Sequence, residues 1–135
     1  MDEKDRSILD VLRHTGRASL KEISHRTGLR PSTVHARVKH LEQDGTIEHF
    51  TVKLDNKKVG ENFIVFLFVK TTGHLDVSNN HIKEVFGVTG EHDLLLKLKF
   101  SGIEEFNEFL LTFREQEVVQ DTLTMVATAT VKEEL

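Results

Sequence analysis

Cysteine and tyrosine are absent from this chain of 135 residues, and proline occurs once. Without cysteine there is no disulfide, no thiolate zinc site and no cysteine nucleophile. Without tyrosine, one common proton donor is missing from any catalytic scheme. The single proline argues against disordered linkers. Long apolar runs are missing too: the longest, residues 63–69, is about a third of the ~20 residues that a spanning helix needs. The opening MDEKDRS is acidic and polar where a signal peptide is basic and then apolar, so a cytoplasmic location without a membrane partner is expected. No phosphate-binding glycine loop, G-x-S-x-G elbow or H-E-x-x-H pair occurs, so neither catalytic residues nor a cofactor is expected.

What is present is enough apolar material for a core, 38% against 30% charged residues, as in a soluble globular protein. The net charge of −4 looks wrong for a nucleic-acid binder until it is divided where the pattern changes, near Asp55. Residues 1–55 carry ten Lys and Arg against nine Asp and Glu, whereas residues 56–135 carry eight against thirteen. Within the first part, residues 21–40 hold Lys21, Arg26, Arg30, Arg37 and Lys39 against Glu22 alone, a local +4. A phosphate backbone responds to that stripe, because charges more than ~10 Å away are largely screened.

Helical signals fill the first part. Asp2 is an N-cap for a short helix with Ile8, Leu9 and Leu12 on one stripe, stopped at Gly16. Ser19 and Glu22 form a capping box for a second helix ending at Thr27 and Gly28. Pro31 opens a third helix running to Asp44, where its missing N–H costs nothing. On that helix Val34, Val38 and Leu41 form the buried stripe. Ser32, His35, Ala36 and Lys39 point away from it, Thr33 and His40 flank it, and Arg37 lies near the core margin.

A face that is small and polar at its start and basic further on suits a recognition helix. Ser32, Thr33, His35, Arg37 and Lys39 are therefore the expected contacts to double-stranded DNA. Residues 46–55 alternate, with Phe50, Val52 and Leu54 on one side, and predict a wing strand or strand pair. A module that binds only protein is the bland alternative. His25, His35 and His40 do not share a helical face with a carboxylate partner, so no metal site is expected.

The second part reads as strands and helix. Residues 63–69 are apolar throughout, predicting a strand buried on both faces. Residues 94–100 alternate, as do Leu123, Met125, Ala127, Ala129 and Val131 against the intervening threonines. Ser101 and Glu104 make a second capping box, before Ile103, Phe106, Leu110 and Phe113 on one helical stripe. Too little helix is available to cover both sheet faces, so a second copy of the sheet is the simplest cover, giving a homodimer.

Gly90, Glu91, His92 and Asp93 form a polar cluster beside apolar walls. Gly90 would let a ligand approach the backbone, and Asp93 could accept a hydrogen bond from an α-amino group. Gly-x-x-Asp is equally an ordinary hairpin turn closed by its Asp side chain. Thr122 and Thr124 add hydroxyls to the same candidate effector set.

The sequence also resembles the Lrp/AsnC (feast/famine) regulators. The residues that carry the likeness are Asp2 to Arg6 before Ile8 and Leu9, Gly16 and Arg17, Gly28 and Leu29, Thr33 and Val34. Arg37, Val38, Lys39 and Leu41 continue it, followed by Gly45, Thr46 and Ile47. Further on, Gly90 to Asp93 resembles the family's G-x-x-D loop, and Thr122 to Thr124 with Val131 and Lys132 resembles its last strand. The resemblance implies an α+β chain: a winged helix-turn-helix over residues 1–55, a linker over 56–61, and a βαββαβ (ferredoxin-like) sensor and assembly domain over 62–135. It also implies dimers that associate further and an amino acid or related metabolite bound between them.

Two departures from the family pattern stand out. Arg30 occupies the position where the family has a capping serine. Only about twenty residues separate Lys70 from Gly90, so the first helix of the second domain, near residues 73–81, is expected to be shortened; Asn79 and Asn80 are also poor helix formers. Two other functions remain open on sequence: an architectural DNA binder without an effector, and a subunit like the sirohaem decarboxylases, which share the two-domain resemblance.

Overall fold

The computed structural model describes all residues, 1–135, and the chain divides into two compact units, Met1–Lys53 and Leu54–Leu135. The first unit contains α1 (Glu3–His14), α2 (Leu20–Thr27) and α3 (Pro31–Gln43). Asp2 caps α1 by accepting from the Asp5 amide, and Ser19 caps α2 by accepting from the Glu22 amide. Such side-chain oxygens satisfy amides that the first helical turn leaves without partners. Gly28 ends α2 at φ 75°, a left-handed conformation in which a Cβ would be strained. One apolar residue from each helix, Ile8, Ile23 and Val34, forms the centre of this unit's core.

No side chain caps α3: Arg30 stands at its N-cap and Pro31 begins its first turn. The loop before it is tied down instead by α2, where the Ser24 hydroxyl donates to the Leu29 carbonyl and the Thr27 hydroxyl accepts from the Leu29 amide. The expected wing is not a strand. Residues 46–55 adopt no regular pairing, and Phe50, Val52 and Leu54 are all exposed. A strand needs a neighbour for its ladder of N–H and C=O groups, and alternation alone does not supply one.

The second unit is a four-stranded antiparallel sheet of β1 (Phe63–Thr71), β2 (Ile82–Gly87), β3 (Leu94–Phe100) and β4 (Val119–Val126), with α4 (Ile103–Arg114). Strand order is β2-β3-β1-β4, so β1 and β3 are central. Registers such as Leu67 opposite Leu96 and Thr124 place Val65, Leu67, Val69, Leu96 and Leu98 on one face. Phe106, Phe109 and Phe113 of α4 close over these residues and Phe100, forming the core. The opposite face carries half-buried Phe66, Phe68 and Leu95, and more open Phe86, Leu123 and Met125 at 54%, 46% and 52% exposure. On this face of β1 only Ile64, at 5% exposure, is fully buried, so β1 is sealed along its length on one face and only at its start on the other. No helix in the chain is long and apolar enough to cross a membrane.

Three further expectations are corrected. The segment between β1 and β2 holds no helix, so the order is β-β-β-α-β where βαββαβ with a shortened first helix was expected. Its polar side chains bond locally in turns: Asp76 accepts from the Ser78 amide and hydroxyl, and Asn79 accepts from the His81 amide. Such bonds compete directly with a helical ladder. α4 begins at Gly102 without a side-chain cap, and Glu105, not Glu104, reaches back to the Ser101 amide; Ile103 is consequently exposed. Finally, β4 stops at Val126, and Val131, expected on the last strand, is 98% exposed.

Candidate nucleic-acid interface and effector loop

α3 presents the surface that its sequence predicts. Val34 and Leu41 are buried and Val38 packs against the core, which fixes the helix rotation and leaves Ser32, His35, Ala36, Lys39 and His40 exposed. Thr33 is half-buried at the edge of that face. His40 lies 3.6 Å from Asp44 one turn on. Lys21, His25 and Arg26 of α2, with Glu22, line a shallow depression of about 390 Å³, so the basic character of residues 21–40 is shared by two helices.

Arg37 behaves differently from the other expected contacts. Its Nη1 donates to both carboxylate oxygens of Asp2, at 2.7 Å each, and to Asp5 Oδ1 at 3.1 Å. The Arg37 side chain is 28% exposed and that of Asp5 15%. The Arg37 hydrogen bond, followed by the Asp5 amide, lowers the Asp2 carboxyl to a pKa of about 2, and the two carboxylates raise that of Arg37. Sequence reasoning placed Arg37 at the core margin but missed the carboxylates it meets there.

In the second unit, Gly90 has φ 120°, a left-handed conformation that suits glycine, in the loop joining β2 to β3. Asp93 closes this loop: its carbonyl accepts from the Val88 amide, its Oδ1 from the Thr71 amide at 2.8 Å and its Oδ2 from the Thr71 hydroxyl at 2.6 Å. Both Thr71 contacts, the hydroxyl first, hold the Asp93 carboxyl below its ordinary range. Thr122 accepts from Arg114 Nη2 at 3.3 Å, and Thr124 lies opposite Leu67 on the face that α4 covers. The structure therefore joins Asp93 to Thr71, and Thr122 to Arg114, without gathering the four expected residues around one point.

What it does gather beside the loop is a mixed-charge group. His92 Nε2 lies 3.0 Å from Asp121 Oδ2, and the His92 ring sits 6.1 Å from that of Phe68. Lys70, Glu91, His92 and Asp121 line an open depression of about 430 Å³. Lys70 and Asp121 meet because they are partners in the β1–β4 register. Nothing in the sequence could have shown this without the strand order.

A family model described as winged helix-turn-helix DNA-binding matches residues 1–48, and one described as the Lrp/AsnC ligand binding domain matches residues 65–135. The chain belongs to the Lrp/AsnC family. Among curated Lrp/AsnC-like relatives, the HTH-type transcriptional regulator FL11 of Pyrococcus horikoshii is 35% identical over 140 residues, spanning 98% of this chain and 93% of its own. A Neisseria meningitidis transcriptional regulator, solved as its L-Met complex, superposes with a TM-score of 0.90 at 27% identity, covering 99% of this chain and 94% of that one. Escherichia coli AsnC shares the fold, with a TM-score of 0.88 at 21% identity, covering 100% and 97%. This Lrp/AsnC chain is a DNA-binding transcriptional regulator.

Proposed function

We propose that α3 enters the major groove, with Ser32, Thr33 and His35 facing base edges and Lys39 engaging phosphate. The observation that carries this reading is the rotation of α3: burial of Val34 and Leu41 turns a surface of small, polar and basic residues outward. Small residues at the start of the helix let the backbone approach base edges, and a long cation further along reaches the strand. Selection of binding sites from a randomised duplex library, repeated with His35→Ala, tests it. Loss of base preference at one position of each half-site is expected; an unchanged preference counts against the assignment.

We further propose that the second unit responds to an amino acid or a related metabolite at the β2–β3 loop. Lys70 and His92 next to Glu91 and Asp121 offer both signs of charge, which suits a zwitterion, and Gly90 leaves backbone accessible. The relative solved with L-Met supports this ligand class. In this reading Asp93 shapes the loop through Thr71 and does not itself grip the ligand, and Thr122 and Thr124, on the face of β4 opposite to Asp121, act only indirectly by packing β4 under α4. Calorimetric titration with individual amino acids tests it, and no heat with any of them favours an architectural DNA binder.

The open sheet face supports a homodimer; further association of dimers is proposed from the family resemblance alone. Phe86, Leu123 and Met125 expose large apolar surface next to half-buried Phe66, Phe68 and Leu95. Water is a poor cover for such a face, and a second copy is a good one.

A further inference from the structure

We infer that Arg37 is a positioning residue withheld from DNA, and that Asp2 and Asp5 are the groups that withhold it. The inference rests on α3 being the helix that meets DNA, and goes beyond it by removing from the interface the cation that α3 would most naturally use there. Arginine is the side chain that reads guanine and grips phosphate most effectively. Here its terminal nitrogen already faces three carboxylate oxygens at 2.7, 2.7 and 3.1 Å.

Three observations make this arrangement more than an incidental surface pair. First, Asp2 is fixed independently of Arg37, since Oδ1 also accepts from the Asp5 amide at 2.9 Å as the α1 N-cap. Its carboxylate is preorganised and need not be ordered to meet the guanidinium. Second, Asp2 is open to solvent at 55% exposure, but Arg37 and Asp5 are largely sheltered, so screening of the Arg37–Asp5 contact is weaker than at a free surface. Third, α3 has no side-chain cap of its own. The contact from Arg37 to the start of α1 is a charged link that ties the recognition helix to another helix of the unit.

Turning Arg37 towards DNA would exchange these oxygens for phosphate oxygens of similar chemistry. It would also strand two carboxylates near a polyanion. The intramolecular partners have the advantage of being always present, whereas phosphate arrives only on binding. On this account the clamp sets the angle of α3 and lowers the cation count of the interface, so that Lys39 and the α2 cations carry the phosphate contacts.

The test measures binding of the full chain to a random-sequence duplex as salt is varied, because each phosphate contact contributes about 0.9 to the slope of log K against log salt. Arg37→Gln should weaken binding while leaving the slope and the selected base preferences as in wild type; Arg37→Lys, which keeps a cation for the clamp, should restore much of the affinity. Asp2→Asn with Asp5→Asn should steepen the slope by about 0.9, and adding Arg37→Gln to that pair should return it to the wild-type value. Far-UV circular dichroism at the assay temperature selects the variants that remain folded; if Arg37→Gln does not fold, the slope of the Asp2→Asn with Asp5→Asn variant and the base preferences of Arg37→Lys, which should match wild type, carry the test.

A shallower slope or a relaxed base preference with Arg37→Gln overturns the inference, because Arg37 is then a DNA contact. An unchanged slope for the Asp2 and Asp5 variant overturns the claim that these carboxylates hold the cation back. If Lys39→Ala and His35→Ala also leave duplex binding untouched, the failure belongs to the placement of α3 and not to the clamp.

Discussion

Glu133, two residues before the last one, places Oε2 3.0 Å from Lys99 Nζ of β3, with only 10% and 13% of the two side chains exposed. Lys97 is a second partner of the same carboxylate, and Asn56 donates to Glu133 Oε1 at 3.0 Å. The last residues are thereby fastened to the sheet and to the segment that begins the second unit.

Glu133→Gln is expected to destabilise the second unit by about 1.5–3 kcal/mol at neutral pH, the range for hydrogen bonds to a charged group. Lys97, then Asn56, holds the Glu133 carboxyl far below its usual 4.5, with Lys99 adding to the effect. A depressed folded-state pKa stabilises fully above the unfolded value and progressively less as pH falls towards the folded one. The gap between wild type and variant should therefore be full above about pH 4.5 and shrink below it. Urea unfolding followed by far-UV circular dichroism across this range is the check; a gap that does not depend on pH would mean that the carboxylate charge is not what matters.

Lys39→Ala should weaken all duplex sequences alike and reduce the salt slope by about 1. His35→Ala should cost ~1–3 kcal/mol on a selected site and much less on other sequences. Fluorescence anisotropy with a selected and a scrambled duplex separates the two behaviours.

Asp93→Ala removes both acceptors of Thr71. Faster amide exchange at Thr71 and in the loop after β2 is expected, together with loss of any amino-acid response, while DNA binding without ligand stays near wild type. Hydrogen-exchange mass spectrometry and calorimetry supply the two readings. An intact response in a loosened loop would exclude Asp93 from effector binding altogether.

Phe86→Glu combined with Leu123→Glu puts charge on the open sheet face without touching the α4 core. Burying a large apolar side chain is worth ~1.5–3 kcal/mol, so the pair should shift sedimentation from dimer, or larger, to monomer. Unchanged sedimentation would place the assembly surface elsewhere.

Much of the fold was legible from residue types. Asp2 and Ser19 announced their helices because caps are local chemistry, and the α3 stripe could be read because Val34, Val38 and Leu41 follow one period. The expected wing failed where a local pattern depended on a distant partner: Phe50, Val52 and Leu54 alternate as a strand would, yet form no strand pairing. The missing helix between β1 and β2 was signalled only in part. Asn79 and Asn80 argued for a weak helix, but the decisive bonds of Asp76 to Ser78 lie in turn geometry. At the candidate sites, Arg37 with Asp2 spans 35 positions and His92 with Asp121 spans 29. Only the packing of helices and the order of strands bring such pairs together.

The missing helix also sets how the second unit breathes. β2 lies at the sheet edge, bonded only to β3, and only Ile82 among its residues is even half-buried. β1, between two strands and beneath α4, is the opposite extreme. Local opening follows such differences in burial and pairing, so β2 should unzip first, and it runs directly into the loop of Gly90 and Asp93. A molecule captured by that loop would act on the least stable strand of the sheet. It would announce itself as slowed exchange along β2 before any change in the mean structure.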